Sequence, residues 1–282
     1  MIRLKKDNRE IVFDGCVFVL HEKDFGSVQA QHNSYKGAGQ IGEYLRGMTL
    51  GTRNIQIVGY ILADGESEMR QLKTLLRHVV NPQQPFTLHC DGYKITVHSE
   101  DTVKFAVSYA QNNDKLCKFQ ISGLCFEPRF ETEQQTKILA ASWQPMFSFP
   151  LCLEQPIIMG EKTNSNVFEL SNTGETSVGM AIRLSASGDV VAPNIVNVRN
   201  REYFGLAMTL LAGDSVTINT NYGQKSVVLT RNEVQTNILP LVAYGSSFLQ
   251  LDMGNSLFRY EAQENAEALK VEVMYSEKVW GV

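Results

Sequence analysis

At 282 residues the chain exceeds the common single-domain size of roughly 100–200 residues, so two domains are the default expectation, and 43% hydrophobic against 20% charged residues excludes a disordered chain. The formal net charge of −4 is unevenly placed: residues 1–133 hold 16 Lys plus Arg and 16 Asp plus Glu, residues 134–282 hold 10 and 14. No stretch clusters Lys or Arg, which disfavours nucleic-acid binding and a polybasic membrane patch, and no apolar run approaches the roughly 18 residues that span a bilayer.

The opening Met1-Ile2-Arg3-Leu4-Lys5-Lys6 lacks a signal-peptide core, so the expected product is soluble and made in a cytosol. Cys16, Cys90, Cys117, Cys125 and Cys152 are odd in number and form no CxxC pair, in keeping with buried, reduced thiols. Ile11-Val12-Phe13 and Cys16 to Leu20 flank Asp14-Gly15, which predicts a hairpin with a two-residue turn. Phe86, Leu88 and Cys90 alternate up to Asp91-Gly92, and Tyr93, Ile95 and Val97 alternate away from it, a second hairpin by the same turn chemistry.

Between these, Asn54 to Leu62 reads as a strand. Asp64 can cap the helix after it, whose Met69, Leu72, Leu76 and Val79 fall on one face and whose Arg70, Lys73 and Arg77 fall on another. Asn81-Pro82 ends it, because proline lacks the amide proton and clashes with a continuing turn. Val103, Phe105, Val107 and Tyr109 alternate as a strand, as do Phe119 and Ile121, so residues 1–133 read as an α+β domain.

Residues 134–156 read as the connection, with a polar, helix-compatible piece from Glu133 to Ala141 and then Pro145, Pro150 and Pro156. From 157 to 282, period-two segments recur with turn signals: Val178-Met180-Ile182-Leu184, Val216-Ile218, Val227-Leu229, Leu257-Arg259 against Phe258-Tyr260, and Leu269-Val271-Val273-Tyr275. Turns carry Asn172-Thr173-Gly174, Gly188-Asp189, Gly213-Asp214, Asn221-Tyr222-Gly223 and Gly254-Asn255. Short strands without a long helix predict a β-sandwich or jelly roll.

The chemistry-bearing motifs each have a plainer explanation. Gly37-Ala38-Gly39-Gln40-Ile41-Gly42 matches GxGxxG, but a polar stretch precedes it and Gly47 and Gly51 break up the residues beyond it, so a surface loop fits better than a pyrophosphate cradle. All five histidines, His21, His32, His78, His89 and His98, lie in the first half. A zinc site from His89, Cys90 and His98 fails because adjacent strand residues point to opposite faces. Asp189, Asp214, Asp252 and Glu261 could supply a glycosidase pair, yet three of the four sit in apparent turns where Asp satisfies its own backbone. Tyr203, Tyr222 and Tyr244 could form a carbohydrate-binding platform. No catalytic, cofactor-binding or metal-binding constellation is assigned.

The order of features resembles the distal tail protein family of siphophages, also called phage tail component. The resemblance is carried by Gly51-Thr52-Arg53-Asn54-Ile55-Gln56-Ile57, the helix from Met69 to Val80 with Asn81-Pro82, and then Gly188-Asp189, Pro193, Leu210 to Ile218, Lys225-Ser226-Val227, Ser247-Phe248-Leu249 with Gly254-Asn255, Val271 to Tyr275 and Trp280-Gly281-Val282. It implies a ring-forming first domain that closes a six-membered ring through strand and helix contacts. It also implies a galectin-like or jelly-roll sandwich domain projecting outward, and a non-enzymatic hub that meets tail-tube, tape-measure and tail-tip or receptor-binding proteins in a virion tail built in the host cytoplasm. No large inserted carbohydrate-binding module is present, so direct host-glycan binding is not implied. Pattern nominates Arg53, Arg70, Lys73 and Arg77 as polar contacts between copies, and Ile55, Ile57 and Tyr60 as edge or core positions. The rivals are a carbohydrate-binding or carbohydrate-cleaving sandwich protein and a tube-forming protein of a contractile injection machine.

Overall fold

A computed structural model describes residues 1–140, 143–145, 160–162 and 166–282. The fold is mostly β-sheet. The chain divides into two compact units, one built from Met1–Glu133 together with Val279–Val282, the other from Gln134–Lys278. The last four residues thus belong with the first unit rather than with the second, where the sequence placed them. Pro150, Cys152 and Pro156 of the expected connection lie outside the described residues.

In the first unit the strands are β1 (Ile2–Lys6), β2 (Arg9–Val12), β3 (Phe18–Asp24), β4 (Ala30–Tyr35), β5 (Tyr44–Leu50) and β6 (Arg53–Leu62); then come helix α1 (Glu66–Val79), β7 (Phe86–Cys90), β8 (Tyr93–Ser99), β9 (Lys104–Phe105), β10 (Leu116–Cys125) and β11 (Phe130–Thr132). The main sheet runs β2-β1-β7-β8-β10-β6-β3, and its pairings are antiparallel. Strict alternation along β10 buries Cys117, Phe119, Ile121 and Cys125 on one face, the pattern a half-buried strand must carry. Gly59 of β6 makes room for this: a Cβ there would sit 2.8 Å from both the Phe119 ring and the Val19 carbonyl oxygen. The Phe119 ring in turn packs edge-on against Phe18 and tilted against Phe13, each 6.3 Å between centroids. Helix α1 lays Met69, Leu76 and Val79 into the same core.

The Asp91-Gly92 hairpin forms as expected between β7 and β8, both turn residues taking positive φ. Asp14-Gly15 does not make one. β2 and β3 lie at opposite edges of the sheet, because β2 pairs with β1 and β3 with β6. The Asp14 carboxylate instead accepts the amides of Cys16 (2.8 Å) and Val17 (3.2 Å), a local turn that redirects the chain and lowers the carboxyl's pKa. Asp64 is not the cap of α1 either: Gly65 occupies that position, and the Asp64 amide donates to the Glu68 carboxylate. Val107 and Tyr109 are exposed beyond a two-residue strand, so the longer strand predicted from Val103 to Tyr109 is absent.

The second unit holds a six-stranded antiparallel sheet in the order Thr136–Leu139, Leu269–Tyr275, Ala181–Ala186, Ser215–Asn219, Ser226–Arg231, Val234–Asn237, and a four-stranded sheet in the order Val167–Asn172, Gly254–Glu261, Asn194–Asn197, Tyr203–Gly205. One apolar core takes residues from both sheets, among them Val271, Val273, Ile182, Val216 and Ile218 from the first and Leu170, Phe258, Tyr260, Ile195 and Phe204 from the second. The piece from Glu133 to Ala141, read as helix-compatible, contributes the edge strand Thr136–Leu139, its register fixed against Leu269–Tyr275. A hairpin the sequence did not signal joins Ser226–Arg231 to Val234–Asn237 through Asn232-Glu233, both at positive φ (50° and 66°). Left-handed backbone penalises Glu233 by roughly 1 kcal/mol relative to glycine, so Glu233→Gly is expected to stabilise the unit by up to about 1 kcal/mol, read as a higher chemical-denaturation midpoint at unchanged slope.

Candidate functional site

The feature of the first unit that its own core does not use is the pair β4–β5. These strands form a separate two-stranded sheet in which every residue of both strands is exposed. Ala30 faces Leu50, His32 faces Met48, Ser34 faces Leu45 and Tyr35 faces Tyr44, with an irregularity after Asn33. Cross-strand partners share a face and next-but-one residues repeat it, so the bulge keeps Leu45 on the side that carries Met48 and Leu50. One side of the arm therefore leaves Ala30, Leu45, Met48 and Leu50 uncovered, with His32 and Ser34 beside them. The opposite side carries the Tyr35–Tyr44 pair, and the Arg46 guanidinium lies 4.8 Å from the Tyr35 ring centroid. The GxGxxG string is the tip of this arm, with Gly39 and Gly42 at positive φ, Ile41 fully exposed, and a Ser34–Glu43 hydrogen bond across its neck.

An isolated two-stranded hairpin is marginal in water and has two unpaired edges. This one is held at its root. The Gly51 amide donates to the Gln29 carbonyl at 2.9 Å. Gly26, at φ +54°, passes so close to β6 that a Cβ would lie 2.4 Å from the Asn54 carbonyl oxygen, which only glycine avoids. Arg53, buried at the start of β6, donates from Nε to the Pro128 carbonyl (2.7 Å), from Nη1 to the carbonyls of Phe25 (3.0 Å) and Gly26 (2.9 Å), and from Nη2 to the Trp280 carbonyl. Its guanidinium also lies 5.1 Å from the Phe130 ring centroid. Burial lowers the Arg53 pKa. Burial likewise pushes the Cys125 thiol, its cross-strand neighbour, up to about 12, so the thiol is protonated at neutral pH and supplies no countercharge.

The nominated contact residues divide accordingly. Arg53 is buried and fully engaged, so it is not a surface contact; Ile55 and Ile57 are core, and Tyr60 is half-buried beside His21. Of the helix cations, Arg70 pairs with Glu66 at 2.5 Å, Lys73 donates to Asn112 at 2.6 Å, and Arg77 reaches Thr74 at 3.3 Å; Arg70 and Arg77 are exposed. Sequence reasoning missed the arm, whose signal was the aromatic pair and the apolar Leu45, Met48 and Leu50 bracketing a glycine-rich tip.

The sites weighed for chemistry are taken up structurally. His89 Nδ1 lies 2.7 Å from Glu133, which also accepts from Arg3 at 2.9 Å, while Cys90 is buried on the other face. Among the described residues no group of three or more His, Cys, Asp or Glu is placed to hold a metal ion. Asp214 is buried in a two-bond pair with Arg231, and Glu261 pairs with Arg259 at 2.5 Å. Hydrogen bonds lower the carboxyl pKa at Asp14, Asp91, Glu133, Asp214 and Glu272, the opposite of what a glycosidase acid requires. Tyr203 donates to the Tyr244 carbonyl at 2.6 Å, and the Lys225 ammonium lies 5.4 Å from the Tyr222 ring centroid.

Two family descriptions match the chain: residues 13–125 fit the phage tail protein RIFT-related domain, and residues 173–279 fit the siphovirus-type tail component, C-terminal domain. The class is thus a phage tail protein. Over both stretches, which together span well over half of its length, the chain belongs to the siphophage distal tail protein family. Its fold is similar to that of the Dit (gp 19.1) protein of phage SPP1, described as a paradigm of the hub adsorption apparatus in phages infecting Gram-positive hosts (TM-score 0.68, 12% identity, 99% of each chain covered). It is also similar to chains of the phage P2 baseplate in its activated conformation, with Ca (TM-score 0.59, 10% identity, 100% of each chain) and with Sr (TM-score 0.60, 10% identity, 100% of this chain and 99% of that one). No curated protein sequence matches the chain.

Proposed function

We propose that this protein is a non-enzymatic ring-forming hub of a long-tailed phage's distal tail, six copies closing laterally through the first unit to join the tail tube to the tip. The observation that carries the reading is the Ala30–Leu50 arm, a hairpin whose side bearing Ala30, Leu45, Met48 and Leu50 is left uncovered among the described residues. A closed ring is built from heterologous contacts, in which one surface of each copy meets a different surface of the next, and a projecting arm with unpaired edges is such a surface. The balanced charge of residues 1–133, 16 basic against 16 acidic, suits a channel that DNA must traverse without being held. The second unit, a galectin-like or jelly-roll sandwich on this reading, would present loops to tip or receptor-binding proteins, and the tube and tape-measure proteins complete the partner set.

Solution mass by light scattering, with negative-stain images of the purified protein, tests this directly. A six-fold mass and closed ring classes are expected, alone or with the tail-tube and tip partners. A strictly monomeric particle under all these conditions, or turnover of a glycan by the monomer, would overturn it.

A further inference from the structure

We propose that Arg53 and residues Val279–Val282 form an alignment clamp that sets the direction in which the Ala30–Leu50 arm leaves the first unit. The proposal deepens the assembly reading above and rests on it for its purpose. All four hydrogen bonds of the buried guanidinium end on backbone carbonyls of three separate chain segments. Two of those carbonyls, of Phe25 and Gly26, stand just before the arm's first leg, and Arg53 itself comes just after its second leg ends at Leu50, so one side chain grips both legs. Trp280 reaches the same guanidinium across 227 residues of sequence.

A buried cation held by carbonyl dipoles and the face of Phe130, with no carboxylate partner among its hydrogen bonds, is an expensive way to fill space, since an apolar side chain of similar volume would avoid the desolvation. What arginine supplies instead is a planar fork that fixes several acceptors in one geometry. That geometry governs a lever. The seven-residue strand Tyr44–Leu50 reaches about 23 Å, so a tilt of about 10° at the root moves the tip by about 4 Å, more than a packed interface accommodates. Beside the clamp is a cavity of about 530 Å³ lined in part by Phe25, Val28, Leu50, Arg53, Trp280 and Val282. Removing the last four residues would take away part of its lining and leave Nη2 without its acceptor, giving the root room to tilt.

Distances between spin labels measure the direction of the arm. One label sits on the exposed native Cys16 and the other on Ile41→Cys at the tip, in a Cys152→Ser background and diluted with unlabelled protein; Cys90, Cys117 and Cys125 are buried. Intact protein should give one narrow distribution. Deletion of 279–282 and Arg53→Gln should each broaden it at least about twofold, Arg53→Lys should fall between, and ring formation should decline in the same order. A truncated protein that melts as a folded unit with an unchanged distribution overturns the clamp, and so does a broad distribution in the intact protein. If Arg53→Gln does not fold, the truncation decides. A truncation that cannot fold also counts against the proposal, because these residues would then carry the fold rather than the arm. Widths that keep the expected order in a protein that never assembles would uphold the clamp and sink the ring reading. Normal rings with unchanged widths would do the reverse.

Discussion

Joining Gln29 to Gly51 through a two-residue Asn-Gly turn, in place of residues 30–50, should leave a folded protein that no longer forms rings. The two ends are already hydrogen-bonded at 2.9 Å, so the turn spans the gap, and because every strand residue of the arm is exposed the deletion removes no core. The thermal midpoint should therefore stay close to that of the intact monomer. A subtler version separates the arm's two sides. Met48→Asp puts a charge on the side that carries Leu45 and Leu50, where assembly would have to bury it unpaired, and should raise the concentration for half-assembly by roughly 100-fold, since an uncompensated buried charge costs several kcal/mol. Gln31→Asp, on the other side, should shift it by far less. Sedimentation velocity across a dilution series reads both variants, and rings of Met48→Asp that form at wild-type concentration would remove the arm's apolar side from the interface.

That arm was the least legible part of the sequence. Period-two patterning reports a strand only when the chain itself buries one of its faces, as in Cys117, Phe119 and Ile121 of β10 or Val271 and Val273 of the second unit. The arm buries neither face of its strands against its own unit, and Gln31 to Lys36 accordingly read only as a polar stretch. Turn chemistry was legible only where the flanking strands are also neighbours in the sheet. Asp91-Gly92 and Asp14-Gly15 are the same dipeptide, yet long-range pairing with β1 and β6 pulled the segments around Asp14 to opposite edges. The Asn232-Glu233 turn was missed for the converse reason, since the sheet imposes a left-handed backbone on a residue that does not favour it. Arg53 could be singled out from its motif but not understood. Its acceptors are carbonyls with no sequence signature, brought from 75 and 227 residues away.

The largest stability effect is expected in the second unit, at the Asp214–Arg231 pair. Asp214 is 3% exposed, accepts from Arg231 Nε at 2.8 Å and Nη2 at 2.5 Å, and takes the Leu211 amide at 2.8 Å, closing the turn that leads into Ser215–Asn219. Replacing Arg231 by methionine keeps the side chain's stem but strands the carboxylate, which should destabilise the unit by about 2–3 kcal/mol. That is the low end for a broken buried pair, because the Arg231 side chain is 40% exposed and water can partly compensate. The hydrogen bonds from Arg231 hold the Asp214 carboxyl below its usual range. The stability it contributes is thus fully present above the unfolded carboxyl pKa, near 3.9, and is lost as pH falls through the lower folded value. Without Arg231 the largest cause of that depression is gone and burial opposes ionisation, so the acid limb of the stability curve should move to higher pH. The double variant Asp214→Leu with Arg231→Met should recover much of the loss, because apolar packing in place of both partners leaves no buried charge. Denaturant titrations of the four proteins between pH 3 and 7 measure the cycle. If either single variant costs under about 0.5 kcal/mol at neutral pH, the pair does not hold this turn in the way its geometry implies.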